Sequence, residues 1–281
     1  MISRSETFVE AGVHRVRIYD HGSGEPLVLV HGLTGFIEDW AANLDALASR
    51  YRVIALDLPG SGHSSMPPGG DYSQDGITAS LLEVLDALNI ERAHLAGYSS
   101  GGRQALHLAA LAPERVRSVM ALAPAGFDYE TIINFRLASV PLLGELLTRP
   151  NMAGTRMLMR TAVHNPAVLA QDYLDWKLAL ARAPGAQAVF LKTLRGMVGW
   201  RGFHPETVTV ARSWLPQITV PVLVVWGRQD KFVAASHAEV LRAGLADVEV
   251  RYYEDCGHLP MLEHSARFNT DALTFLATRA A

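Results

Sequence analysis

Apolar residues along the chain fall into two kinds of segment that alternate. One kind is a short run with almost no polar interruption: PLVLVHG (26–32), RVIALDLPG (52–60), RAHLAGY (92–98), RVRSVMALAP (115–124) and VPVLVVWG (220–227). Such runs suit strands buried on both faces, as in a parallel sheet covered by helices. The other kind spaces its apolar positions three or four apart, as a helix requires: Trp40, Leu44 and Leu47 in Ile37–Ala48, and Leu81, Leu85 and Leu88 in Ile77–Leu88. Gly101–Leu111, Ala234–Gly244 and Leu262–Arg279 are further predicted helices, and VEVRYYED (248–255) is a further strand. At the N-terminus, Glu6–Glu10 and His14–Asp20 alternate about a turn at Ala11-Gly12, which predicts an antiparallel hairpin.

Strands alternating with helices predict an α/β fold with a mostly parallel twisted sheet flanked by helices. The alternation stops at about Ala125 and resumes after Trp214. Between them lie only helical or irregular segments, rich in methionine (Met152, Met157, Met159, Met197) and interrupted by Pro141, Pro150, Pro166, Pro184 and Pro205. The expected division is therefore a core of residues 1–125 and 215–281, with residues 126–214 as a helical insertion after the fourth parallel strand.

Composition adds exclusions. Of 281 residues, 49% are hydrophobic, which supplies a large core and argues against disorder. The 25 basic and 28 acidic residues form no block of like charge, so neither a nucleic acid nor a polybasic membrane contact is expected. Cys256 is the single cysteine, which rules out an intrachain disulfide. The opening MISRSETFVE has no apolar stretch resembling a signal peptide, and no run is long enough to span a bilayer. A cytoplasmic protein is expected. No His/Cys/carboxylate cluster has metal-ligand spacing, and the glycines of GSGHSS (60–65) lack the lysine of a phosphate loop, so no cofactor is expected.

The candidate chemistry starts at GYSSG (97–101), a G-x-S-x-G pattern between a predicted strand and a predicted helix. Ser99 has glycines two positions away on both sides, whereas Ser100 has Tyr98 two before it. Ser99 is therefore the expected nucleophile. The alternative is a glycine-rich turn whose serine caps the helix. A serine hydroxyl needs a base, and His258 in DCGHLP follows the last predicted strand at the same sheet edge. The base needs an acid to fix its tautomer. Asp230 in WGRQD is preferred, with Asp128 as its rival. Backbone N–H groups of Leu33 and Ser100 are the expected oxyanion donors, with Thr34 beside them, and His31 is expected to brace the loop rather than transfer protons.

HGLTG (31–35), DLPGSGHS (57–64), GYSSGG (97–102), WGRQD (226–230) and CGHLP (256–260) together resemble the α/β-hydrolase fold superfamily in the order of its motifs. The resemblance implies the α/β-hydrolase fold, a catalytic triad Ser99–Asp230–His258, and a helical cap in residues 126–214. An aspartate at the elbow, as in dehalogenases and epoxide hydrolases of the superfamily, is absent here. The chain is similar to capped serine hydrolases acting on small ester-like substrates, of carboxylesterase or lactonase type. Carbon–carbon hydrolases of meta-ring-fission products are the alternative. They tend to carry Asn before the serine and Trp after the histidine, where this chain has Tyr98 and Leu259; cap arginines Arg182, Arg195 and Arg201 would then bind a substrate carboxylate. A ligand receptor on the same fold is the alternative of another class. Met152, Met197 and Trp200 are candidate pocket residues. Oligomeric state stays open.

Overall fold

A computed structural model of the chain describes residues 7–67 and 69–279; Glu6 of the predicted hairpin and the first and last residues of the expected core lie outside them. The strands are β1 (Thr7–Ala11), β2 (His14–His21), β3 (Pro26–Val30), β4 (Arg52–Leu56), β5 (Ala93–Tyr98) and β6 (Val116–Leu122) in the first part of the chain. The helices among them are α1 (Ala41–Ala48), α2 (Gln74–Ala87) and α3 (Ser100–Leu111). Between β6 and the next strand of the main sheet come α4 (Ile133–Ala138), α5 (Leu143–Leu147), α6 (Met152–Ala162), α7 (Gln171–Ala181) and α8 (Ala186–Met197), a two-residue ribbon β7 (Val198–Gly199) and β8 (Gly202–Phe203), and α9 (Pro205–Trp214). The chain ends with β9 (Val222–Gly227), α10 (His237–Gly244), β10 (Val248–Tyr253), α11 (Pro260–Glu263) and α12 (Ser265–Arg279).

Eight strands form one sheet in the order β1-β2-β4-β3-β5-β6-β9-β10. The β1–β2 and β2–β4 pairs are antiparallel and all others parallel. Every residue of β5 and β9 is buried, which is why β9 reads as an uninterrupted apolar run and β5 as one broken only by His94, whose ring pairs with Ser118 at 2.8 Å. Outward from β3 the chain first adds β4 on one side and then β5 on the other. That reversal opens a crevice at the carboxyl ends of β3 and β5, where ligands bind in sheets of this kind. Helix α1 packs on α12, and α2 on α3.

Two predicted helices are divided. In Ile37–Ala48, the first four residues form a separate 3-10 turn. Asp39 Oδ2 accepts the Phe36 N–H at 3.1 Å and Asp57 Oδ1 accepts that of Ile37 at 2.8 Å, so side chains cap this turn before α1 begins. Leu262–Arg279 is interrupted at His264, whose ψ of 48° leaves the helical region and separates α11 from α12. Four predicted strands, 26–32, 52–60, 115–124 and 248–255, ran two to four residues past the ladder into the loops that follow it, whereas 92–98 and 220–227 end with it. Among the described residues, no helix is long and apolar enough to cross a membrane.

Candidate active site

Ser99 stands between β5 and α3 with φ 55° and ψ −124°. A non-glycine residue rarely adopts a positive φ, and holding it there costs about 1–3 kcal/mol. The turn is held by Ser99 N–H donating to Leu122 O at 2.8 Å and by its carbonyl accepting from Ala125 N–H at 3.2 Å. It is tight because strand and helix touch: a Cβ on Gly97 would lie 2.5 Å from the Gly101 carbonyl carbon and 2.8 Å from the Gly102 nitrogen. Both obstacles are backbone and cannot swing aside. Gly97→Ala should therefore destabilise the protein by about 2–3 kcal/mol and lower activity with it. A denaturation midpoint equal to wild type would contradict this packing.

The loops after β9 and β10 bring in the other two groups. They press together at Gly227, where a Cβ would lie 2.7 Å from the Cys256 carbonyl carbon. This contact sets His258 Nδ1 2.7 Å from Asp230 Oδ2, with both side chains almost completely buried. The other carboxylate oxygen of Asp230 accepts the N–H groups of Phe232 (2.7 Å) and Val233 (3.0 Å), so the acid is fixed at both ends. A proton on His258 Nδ1 satisfies Asp230 and leaves Nε2 as the acceptor of the ring. The Phe232 ring lies against the imidazole, with centroids 5.0 Å apart. Asp128, the rival acid, is partnered elsewhere: it accepts from Arg212 at 3.1 Å and from the Tyr129 N–H at 2.9 Å.

Ser99 Oγ and His258 Nε2 are not hydrogen-bonded to each other in this structure, and nucleophile–base contacts commonly tighten only around substrate. The backbone N–H groups of Leu33 and Ser100 have no acceptor among the described residues. His31 donates from Nδ1 to Gly32 O (2.7 Å) and accepts the Leu58 N–H on Nε2 (2.9 Å). With both nitrogens engaged it braces this loop.

Burial also pulls the His31 pKa below its usual value. The unfolded chain protonates this side chain below about pH 6.5, whereas the folded chain resists. The stability from neutral His31 is thus complete above that pH and lost as pH falls below it. His94, His107 and His237 are shifted in the same direction by burial. The thermal midpoint should fall between pH 7.5 and pH 5.5, and a flat or rising midpoint would refute this.

A cavity of about 820 Å³ lies between the core and the helices that follow β6. Leu33, Thr34, Ser100 and Met197 line it, with Phe135 and Met159 among the apolar wall residues. Ser99, Asp230 and His258 are not themselves wall residues; Ser99 adjoins two that are, Ser100 next in the chain and Gly32, on which a Cβ would lie 3.0 Å from that of Ser99. Met152 and Trp200 are not in the wall. Met152 packs half-buried against the core, and Trp200 is exposed beside Arg136. Arg182, Arg195 and Arg201 are not in the wall either: Arg195 is bound to Glu145 at 2.8 and 2.9 Å, and the other two are exposed.

The sequence reading missed other groups around the site. Buried Asp39 takes hydrogen bonds from Tyr98 (2.5 Å) and Tyr173 (2.8 Å) and pairs with Lys177 at 2.9 Å, which joins the elbow strand to α7. Burial and this carboxylate push both phenols well above their ordinary pKa, so they stay donors. Glu263 accepts the N–H of Gly257 (2.7 Å), beside His258, and those of His164 (2.6 Å) and Asn165 (3.0 Å). His258 N–H itself donates to Ala162 O at 2.7 Å. The histidine loop is thus tied to the end of α6. Cys256 is buried and its thiol pKa is raised by that burial, so it stays a protonated, packed side chain.

Residues 25–265 match the family described as the alpha/beta hydrolase fold. The chain belongs to the α/β-hydrolase fold family. Among its relatives in that family, the dihydrolipoyllysine-residue acetyltransferase component of the acetoin cleaving system of Pseudomonas putida is 35% identical over 271 residues, covering 95% of this chain and 68% of that one. A 2-hydroxy-6-oxononadienedioate/2-hydroxy-6-oxononatrienedioate hydrolase of Paraburkholderia phymatum is 33% identical over 284 residues, covering 98% of this chain and 95% of the relative. The solved structure of a bacterial membrane phospholipase A matches with a TM-score of 0.82 at 26% identity, over 98% of this chain and 86% of that one. In this α/β hydrolase, as the sheet order requires, the elbow serine and the Asp230–His258 pair follow the carboxyl ends of β5, β9 and β10.

Proposed function

We propose that this α/β hydrolase cleaves a carboxylic ester, of carboxylesterase or lactonase type, through an acyl-enzyme on Ser99. The observation that carries this reading is the buried His258–Asp230 contact of 2.7 Å at the sheet edge that also carries Ser99. His258 Nε2 takes the Ser99 proton as Oγ bonds to the acyl carbon. The oxyanion that forms is held by the N–H groups of Leu33 and Ser100, and a donor of this kind is worth about 10²–10³ in rate. As the tetrahedral intermediate collapses, the carbon–oxygen bond to the alcohol breaks and the imidazolium gives the alcohol its proton. A water, deprotonated by the same nitrogen, then releases the acid and restores Ser99. Helices of residues 126–214 act as a cap over the substrate, and their apolar residues favour a chain with little charge along most of its length. The substrate is a small molecule met in the cytoplasm, and the chemistry needs no cofactor.

The activity for which the Paraburkholderia relative is named favours a second reading, hydrolysis of a carbon–carbon bond in a ring-fission product. Tyr98 weighs against this second reading, because it stands where such hydrolases tend to carry Asn and its hydroxyl, committed to Asp39, cannot replace that amide toward a substrate. Turnover of short p-nitrophenyl esters against a meta-ring-fission dienoate separates the two. Ester kcat/KM should exceed that of the dienoate; fast dienoate cleavage beside slow ester turnover would overturn the ester reading.

A further inference from the structure

The cavity wall holds a buried cation that the hydrolytic scheme does not use. Arg103, one helical turn after Ser99 on α3, is 2% exposed and lines the cavity. Its Nε donates to Gln74 Oε1 (2.8 Å), Nη1 to Gly126 O (3.0 Å) and Nη2 to Thr207 O (3.1 Å). Its guanidinium carbon lies 4.7 Å from the centroid of the Trp214 ring. All of these partners are neutral, and two of the five guanidinium N–H bonds are left over. Burial without a counter-charge pulls the Arg103 pKa down to about 10, which keeps it charged near neutral pH.

No carboxylate touches Arg103 among the described residues. Asp75, whose charge it feels, has a side chain 88% exposed and turned to His107 at 3.7 Å. Asp71 and Glu206, the other acidic residues of the wall, are exposed as well, so solvent screens them. Lys177, the other buried cation there, is neutralised by Asp39 at 2.9 Å. A buried charge without a counter-charge is costly to hold, so a ligand that brings the missing charge gains what the fold lacks. Next to Arg103 the wall offers a second donor. Gln104 Oε1 accepts from Gln74 (2.6 Å) and Thr78 (2.7 Å), which turns its NH₂ group away, and that group has no acceptor among the described residues.

We propose that Arg103, with the Gln104 amide beside it, binds a carboxylate carried by the substrate on a chain extending from the bond that Ser99 cleaves. The planar guanidinium suits a carboxylate better than a point cation would. The assignment of the reacting bond rests on the hydrolase reading above; the binding of the anion does not. It also moves the carboxylate contact from Arg182, Arg195 and Arg201, which the cavity excludes, to a residue of the core helix.

The test uses p-nitrophenyl monoesters of linear dicarboxylic acids from succinate to suberate, each paired with the neutral ester in which the free carboxylate is an amide. At the best chain length, wild-type kcat/KM should favour the anionic ester by about tenfold or more, the size of a charged hydrogen bond. The ratio should fall toward one in Arg103→Gln and be kept in part in Arg103→Lys. Separately, Ser99→Ala should bind the matching free dicarboxylate about tenfold more tightly than its monoamide. If no ester turns over but this binding preference holds and is lost when Arg103→Gln is added to Ser99→Ala, the ester reading fails and the Arg103 site stands. If wild type shows a ratio near one at every chain length, or Arg103→Gln keeps the wild-type ratio, the site is overturned and Arg103 only fastens Gly126 and Thr207 to α3. Should the Arg103 variants not fold, the wild-type ratio and the Ser99→Ala binding decide.

Discussion

Ser99→Ala should lower ester turnover by about 10⁵-fold or more, the scale seen when the nucleophile of a serine triad is removed. Ser100→Ala should keep most of the activity, since only its backbone N–H is assigned a part. The contrast is sharp because the two residues are adjacent in sequence and stand in different conformations. Ser99 is forced to φ 55°, while Ser100 begins α3. Stability gives an independent readout. Ser99→Gly removes the side chain that makes a positive φ costly, so this inactive variant should unfold at a higher temperature than wild type. Steady-state rates and thermal melts on the three variants check both parts. Equal losses in Ser99→Ala and Ser100→Ala, or a Ser99→Gly variant less stable than wild type, would contradict this description of the elbow.

Asp230→Asn should lower kcat by about 10⁴ without unfolding the protein. The reason lies in which atoms face Asp230. Oδ1 accepts two backbone N–H groups, from Phe232 and Val233, and only an oxygen can replace it there. The amide nitrogen of the substituted side chain must then face His258 Nδ1 as a donor. The ring responds by carrying its proton on Nε2, the nitrogen that has to accept from Ser99. The fold survives because the loop contacts survive. Asp128→Asn should stay within about threefold of wild type, since Asp128 pairs with Arg212 at the surface. The reverse ranking of the two variants would reassign the acid.

The core of this fold was legible because its strands are buried on both faces. β9 carries an unbroken apolar run for this reason, and β5 admits one polar side chain, His94, only because Ser118 and Glu25 satisfy both of its ring nitrogens. The elbow was legible for a similar reason: backbone contact between Gly97 and Gly101 leaves no room for a Cβ. Other features depended on where a loop sends a side chain. Asp128 and Asp230 both follow a strand, and only the packing of two loops at Gly227 decides which one meets His258. The segment after β6 was least legible. Its methionines and tryptophans satisfy helical packing and a pocket wall equally well as residue types, so Met197 proved to face the cavity and Met152 and Trp200 did not. The Asp39–Lys177 pair joins residues 138 apart in the chain, and no local pattern announces it. Arg103 reads in sequence as an ordinary helical arginine; its burial becomes visible only when α2, α9 and the Gly126 turn close around it.

The central claim is that Ser99 is an activated nucleophile, and covalent labelling with a fluorophosphonate probe tests it most directly. Native protein should take up one equivalent of probe, with the modified peptide carrying it on Ser99. Ser99→Ala should be unlabelled, Ser100→Ala labelled, and Asp230→Asn labelled far more slowly than wild type. Native protein that stays unlabelled, or Ser99→Ala that labels as well as wild type, would contradict the assignment of this site.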